Sequence, residues 1–292
     1  MSMEQIADSH VSKSRKNNDI FIRLFEKYLR EKGEESNLTR GYKHFHPSAF
    51  GGCIRKMAIQ YYGEDNPKFK VEEPVDPKFV RICDAGHAYH DRMQKDLSIM
   101  KVLRGYWRCR ACGTVQGNDI EKDGPIGTFL PDTCKCMAKK KKDKRRGIDL
   151  FEYREIFLQS DPEYNFKGNC DGVIELELGN PDSRYVIDFK SIKSERLKFM
   201  KKPDHKYVTQ IMIYMWLSGI YKSIIFYEDK DLHVLKEFTI EYDTEVVEDI
   251  KRTALKLKKI LEMGKIPKKP PTYTVSKIPC SWCEFKKLCF KK

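Results

Sequence analysis

Residues 168–214 constrain this chain more than any other stretch: GNCDGVIELELG, a Pro-Asp-Ser turn, RYVIDFKSIKSERLKF and then HKYVTQIMIY. Two apolar runs, 171–178 and 185–189, read as neighbouring strands joined by the turn Gly179-Asn180-Pro181-Asp182. Strand side chains alternate with period 2, so Asp188 and Lys190 leave one face while Phe189 points to the other. A carboxylate and an ammonium inside an apolar strand are costly burials unless paired, metal-bound or facing a cleft. Asp171, beside Gly172 at the mouth of its own strand, is placed to meet Asp188. Two carboxylates and a lysine converging on one point suit Mg²⁺ or Mn²⁺, which prefer carboxylate oxygens, water and phosphate. The plainer alternative is a hairpin with surface ion pairs, each worth little.

Four short patterns recur in order: Gly86-x-x-x-His90, Gly168-x-x-Asp171, Asp188-Phe189-Lys190 and Gln210-x-x-x-Tyr214. Together they resemble the RecB-like branch of the PD-(D/E)XK nucleases, over roughly residues 80–215. The resemblance implies an α/β, restriction-endonuclease-like core with a mixed central sheet flanked by helices. It implies that His90, Asp171, Asp188 and the Phe189 carbonyl hold the catalytic metal and that Lys190 orients or activates the attacking water. Gln210 and Tyr214 are then expected on the helix after the core strands, positioning the backbone and holding the Lys190 region. The residues themselves place His90 on a helix over 78–103, with Phe79, Ile82, Cys83, Met93 and Leu97 at three- and four-residue steps. His87 is a second candidate one turn earlier, and a zinc site of His87, His90 and an Asp is a minor alternative. Glu152 and Glu155 are further candidate carboxylates.

The ten cysteines cluster, and the leading residues MSMEQIADSHVSKSRKNND lack the apolar core of a signal peptide. Metal binding in a reducing compartment, hence a cytoplasmic location (a host cytoplasm if phage-encoded), is expected over disulfides. Cys109-x2-Cys112-x21-Cys134-x-Cys136 reads as one closed structural zinc site. At the far end, Cys280-x2-Cys283-x5-Cys289 offers three thiols that want a fourth, and Cys53 is the candidate. Spacing alone leaves zinc and iron–sulfur open there. The resemblance, now to the CRISPR-associated and AddB-type members, implies a [4Fe-4S] cluster on Cys53, Cys280, Cys283 and Cys289 that staples the C-terminus back to the domain.

Lys+Arg 56 against Asp+Glu 43 gives a net charge of +13, which favours polyanionic partners. Lys139, Lys140, Lys141, Lys142, Lys144, Arg145 and Arg146 form a basic run suited to the DNA backbone. Residues 191–202 add a second basic stretch, a rim beside the cleft. A helix over 19–31 carries an apolar stripe that should pack on the core, and strands are expected over 148–159, 164–167, 223–228 and 232–240. Helices are expected over 207–217 and 245–263. The organisation expected is an N-terminal helical region (1–77) with the first cluster cysteine, a nuclease core (78–103 and 147–262), a basic zinc-binding insertion (104–146), and a cysteine-bearing C-terminal segment (263–292).

The functional expectation is a metal-dependent deoxyribonuclease, an exonuclease, in recombination, repair, phage replication or CRISPR adaptation. The alternative is a nucleic-acid-binding scaffold that keeps the fold without cutting. A Mg²⁺ phosphatase for small substrates fits the carboxylates but not the charge. The sequence holds no Walker motif, so any unwinding would come from a separate helicase, one of several candidate partners with recombination, replication and CRISPR-adaptation proteins.

Overall fold

The computed structural model describes residues 20–39, 41–69, 75–117, 126–136, 146–277 and 279–290. Two compact units emerge, one of residues 1–41 with 72–85, the other of 42–71 with 86–292. The first contains helix α1 (Ile20–Thr39). Gly33 lets its neighbours close in, since a Cβ there would fall 2.6 Å from Val75 Cγ1 and 2.9 Å from Val80 Cγ2. The apolar stripe of α1 departs from expectation: Phe21, Leu24 and Phe25 are solvent-exposed. Helical period decides which residues share a face, not whether anything covers it.

The second unit begins with α2 (Pro47–Phe50) and α3 (Ile54–Gly63) and takes the later turns of α4 (Pro77–Ile99). Then come β1 (Leu103–Arg104), β2 (Tyr106–Cys109), β3 (Val115–Gln116), β4 (Phe151–Arg154), β5 (Ile156–Gln159) and β6 (Lys167–Cys170). The remaining strands and helices are β7 (Gly172–Glu175), β8 (Arg184–Ile192), α5 (Ser194–Phe199), α6 (His205–Ser218), β9 (Lys222–Asp229), β10 (Leu235–Glu241), α7 (Thr244–Glu262) and α8 (Lys286–Phe290).

Five strands form a mixed sheet in the order β1-β7-β8-β9-β10. The expected hairpin is β7 against β8, antiparallel, with Gly172 opposite Ile187. β8 and β9 run parallel, and the connection between them carries α5 and α6. Val173, Val186, Ile225 and Tyr227 join Ile211, Met215 and the α7 residues Val247 and Leu257 in one core. The other face gives Ile174, Ile187, Phe189 and Ile224 to a smaller cluster with Tyr89, Met93 and Leu97 of α4. Helices therefore cover both faces, as strands apolar on both sides require.

The strands expected over 148–159 and 164–167 do not join the central sheet. β4 pairs with β2, which also pairs with β3, while β5 and β6 form a separate two-stranded ladder. Short apolar runs identify strands but not their partners. The helix expected over 78–103 stops at Ile99, because Leu103 and Arg104 are claimed by β7. Of the basic run, Arg146 is described and exposed; Lys139, Lys140, Lys141, Lys142, Lys144 and Arg145 lie outside the described residues.

Candidate active site

β7 ends its pairing at Gly172, so Asp171 stands at the sheet end with a free side chain beside β8. Its Oδ2 accepts the Phe189 N–H at 2.7 Å, substituting for the next ladder bond. Its Oδ1 lies 3.4 Å from His90 Nδ1, on α4. One turn further along that helix, Gln94 Nε2 donates to the Asp171 carbonyl (2.9 Å) and to Glu155 Oε1 (3.2 Å). His90, Glu155 and Asp171 thus bring three ligand atoms within 4.8 Å of one another. Glu155 gets there because it occupies the corner between β4 and β5, which belong to different sheets.

Asp188 is fully buried on the neighbouring strand, and Lys190 Nζ sits 2.8 Å from both of its carboxylate oxygens. The approach to Oδ2 is out of line, which leaves that buried oxygen without a hydrogen bond. The period-2 reading of β8 therefore holds: Asp188 and Lys190 share a face, and Phe189 lies on the opposite side against Tyr89 and His90.

The charges are mutually dependent. Burial, opposed by Lys190 and reinforced by Asp171, pushes the Asp188 carboxyl up to about 6. Glu155 is raised as well, by burial and by the nearby Asp171 charge. For Asp171 burial acts in the same sense, but His90, Lys190 and the Phe189 N–H outweigh it and hold the carboxyl below its usual value. Burial disfavours the charged forms of His90 and Lys190, yet the adjacent carboxylates raise both. Three carboxyl groups facing one lysine and one histidine, with an orphaned buried oxygen among them, suit an oxygen-seeking divalent cation.

Sequence reasoning and structure part at three residues, Gln210, Tyr214 and Tyr207. His87 is exposed on α4, so the histidine that meets Asp171 is His90. Gln210 and Tyr214 are buried on α6 as a bonded pair, but the Tyr214 hydroxyl donates to the Asn169 carbonyl at 2.6 Å, not to the Lys190 region. They brace the backbone two residues before Asp171. Gly168 permits this close packing, as a Cβ there would meet Pro47 Cδ at 2.8 Å. The neighbour that sequence reasoning missed is Tyr207, whose ring centroid lies 4.7 Å from Lys190 Nζ. Its spacing to Gln210, one helical turn, was the available signal.

Two cysteine groups stand apart from these residues. Cys109 Sγ and Cys136 Sγ are 3.7 Å apart, and Cys112 Sγ and Cys134 Sγ 3.8 Å. A tetrahedron with metal–sulfur arms of about 2.3 Å has edges of about 3.8 Å. The Thr114 hydroxyl and backbone draw the Cys112 thiol down to about 6, whereas burial among the other thiols pushes Cys136 up to about 12. Cys53 and, more than two hundred residues later, Cys280, Cys283 and Cys289 line one cavity of about 320 Å³ with Arg55, Lys56, Lys269 and Lys286. Arg55 Nε donates to Cys289 Sγ at 3.4 Å. Among the described residues, these four thiols do not form a group closed to within 4.8 Å, unlike the first four.

A mixed five-stranded sheet with Asp171, Asp188 and Lys190 at one end and His90 on a flanking helix defines a nuclease-type α/β core. The chain belongs to the PD-(D/E)XK nuclease superfamily, whose family model matches residues 48–290. Among solved structures, it is similar to SSO0001, at 15% identity over 92% of this chain and 96% of that one, with a TM-score of 0.47. It is also similar to an alkaline exonuclease, LHK-Exo, from Laribacter hongkongensis, at 18% identity and a TM-score of 0.32, covering 37% of this chain and 55% of that one. The same exonuclease in complex with dAMP gives 19% identity and the same coverage. No curated protein matches the chain. Among the described residues, no helix is long and apolar enough to cross a membrane.

Proposed function

We propose that this protein is a Mg²⁺- or Mn²⁺-dependent deoxyribonuclease that acts as an exonuclease. The observation that carries the reading is the convergence of His90, Glu155 and Asp171 within 4.8 Å, with the buried Asp188–Lys190 ion pair on the neighbouring strand. His90, Asp171 and Asp188, with the Phe189 carbonyl, would hold the ion, and Glu155 adds a carboxylate that this set did not include. Bound there, the ion would polarise the scissile phosphate and acidify a water. Lys190 donates hydrogen bonds to the attacking water or to the phosphoryl oxygens as their charge builds. Gln94 and the Gln210–Tyr214 pair fix the backbone on either side of Asp171. The direct test is a time course on end-labelled single- and double-stranded DNA, linear and circular, with Mg²⁺ or Mn²⁺. Mononucleotide release from linear DNA alone is the expected result. Cleavage that persists in EDTA, or no cleavage under any of these conditions, would refute the proposal.

Two further outcomes are expected of this site. Either ion should raise the melting temperature by a few degrees, because a ligand at a hundredfold its Kd adds about 2.7 kcal/mol to the folded state. The rise should be small in acid and grow as the pH passes about 6, where Asp188 sheds its proton and becomes a ligand. Without metal the sign reverses: between the usual aspartate range and about pH 6 the folded state binds more protons, so stability falls as pH climbs. Differential scanning fluorimetry across that range, with and without metal, checks both signs. Separately, Tyr207→Leu should slow single-turnover cleavage roughly fivefold, the effect of losing about 1 kcal/mol of cation–π contact at Lys190. Tyr207→Phe should retain most of the rate.

For the cysteines, the proposal is one structural zinc on Cys109, Cys112, Cys134 and Cys136, and a [4Fe-4S] cluster on Cys53, Cys280, Cys283 and Cys289. The sulfur spacings of the first set support a single tetrahedral ion. Four thiols lining one cavity together with four cations support an anionic multi-iron cluster in the second. DNA is the proposed partner, held in part by the basic run at 139–146.

A further inference from the structure

Beyond Lys190, β8 continues for two residues and the chain then turns into α5. Ile192 shares the face of Asp188 and Lys190 and is buried with Leu197 of α5 in the larger core. Same-face neighbours on a strand are about 6.6 Å apart, so α5 is laid down just past Lys190, on the side to which that lysine projects. Lys193, Arg196, Lys198, Lys201 and Lys202 are all exposed here, against the single carboxylate of Glu195.

In the middle of these cations, Phe199 is 76% exposed. It does not ride on a loose loop. Leu197 anchors α5 from below, and the Ser194 hydroxyl lies 2.7 and 2.9 Å from the Asp229 and Asp231 carboxylates. Lys236 Nζ bonds the Met200 carbonyl immediately after the helix. A large ring held rigidly in water forgoes roughly 1.5–3 kcal/mol of burial. Lys198 Nζ is 5.6 Å from its centroid, which leaves the ring face flanked by positive charge.

We infer that residues 193–202 form a platform for single-stranded nucleic acid beside the catalytic strand, with Phe199 stacking on an unpaired base and the five cations taking the phosphates around it. The inference rests on the nuclease reading and narrows its substrate to strands with an unpaired end. Rings between cations bind single strands because every base offers a π-face once it leaves the duplex stack. Blunt duplex offers phosphates to the lysines but no internal base face to Phe199. Because α5 begins four residues after Lys190, the stacked base would lie within a few nucleotides of the bond to be cut.

The test uses the full chain in EDTA, so that binding is read without cleavage. Phe199→Trp should show quenched tryptophan emission on titration with oligo-dT, and no such quench with a blunt duplex bound to the same extent by anisotropy. Leu178→Trp, an 82% exposed position in the turn between β7 and β8, should stay unquenched by either. Phe199→Ala should weaken single-strand binding about five- to hundredfold while leaving duplex binding unchanged. Equal quenching by both DNAs, no quenching, unchanged single-strand affinity in Phe199→Ala, or no single-strand binding at all would overturn the inference. A protein that cuts DNA but shows no selective quench keeps the proposed activity and loses the platform. One that shows the quench but never cuts keeps the platform and loses the activity.

Discussion

Lys190→Ala is expected to bind DNA and divalent metal as the starting protein does, yet to lose about 10²–10³-fold in single-turnover rate. That is the scale of removing one charge-stabilising donor from a transition state, about 2.7–4 kcal/mol. Lys190 is mostly buried and kept charged by Asp188 and Asp171, so its ammonium is in place before substrate arrives. A group whose contact matters mainly in the transition state lowers kcat and kcat/KM together. Asp188→Ala should behave differently. It removes a metal-facing carboxylate and strands Lys190 without its closest partner, so metal binding, the metal-induced rise in melting temperature and nearly all cleavage should go together. Single-turnover kinetics with saturating protein, alongside calorimetric titration of Mn²⁺, separate the two patterns. Undiminished cleavage in both variants would exclude this site from the chemistry. Inert starting protein would instead favour a scaffold that binds without cutting.

The second large effect is expected at the distal cysteines. Purified without air, the protein should be brown, absorb broadly in the visible, and carry about four irons and one zinc per chain. Cys283→Ala should lose the iron, the colour and most soluble expression, because a thiolate cluster contributes its binding free energy to folding. Joined by a cluster, the four thiols would close a loop of over two hundred residues, and Arg55 already ties Cys289 and the Pro267 carbonyl to α3. Cys112→Ser should lose zinc and keep iron, since its group packs in a separate cluster with Trp107, Leu150 and Phe151. Elemental analysis of the three proteins decides the matter. Zinc in both groups, or colourless protein after anaerobic reconstitution, would refute the iron–sulfur assignment.

The two thiol groups illustrate how much was legible beforehand. Cys109-x2-Cys112 and Cys134-x-Cys136 pair across their two short spacings, and Cys53 does join Cys280, Cys283 and Cys289 around one cavity. Thiol clustering survives translation into sequence because short spacings already place two ligands within reach. The same holds for β8, where period 2 and an apolar setting are enough to put Asp188 and Lys190 on one face. His90 was separable from His87 by the downstream carboxylates and the Gly86-x-x-x-His90 pattern.

Other features were decided by which elements packed together. Glu155 enters the site because a corner between two small sheets turns it toward Asp171, and no periodicity encodes a corner. Tyr214 braces Asn169 and Tyr207 covers Lys190, an exchange of roles set by how α6 is rotated over the sheet. The stripe on α1 has the spacing of a packed helix, yet among the described residues Leu29 is buried while Phe21 and Leu24 are exposed. The hairpin, the strand face bearing Asp188 and Lys190, and the short-spaced thiols could be read from the chain because they depend on contacts a few residues apart, whereas Cys53 reaches the distal three only through packing. The partners of β4, β5 and β6, the third carboxylate and the aromatic over the lysine emerged only on folding. These depend on the relative placement of elements far apart in the chain, which is set by the packing of whole faces rather than by any local pattern.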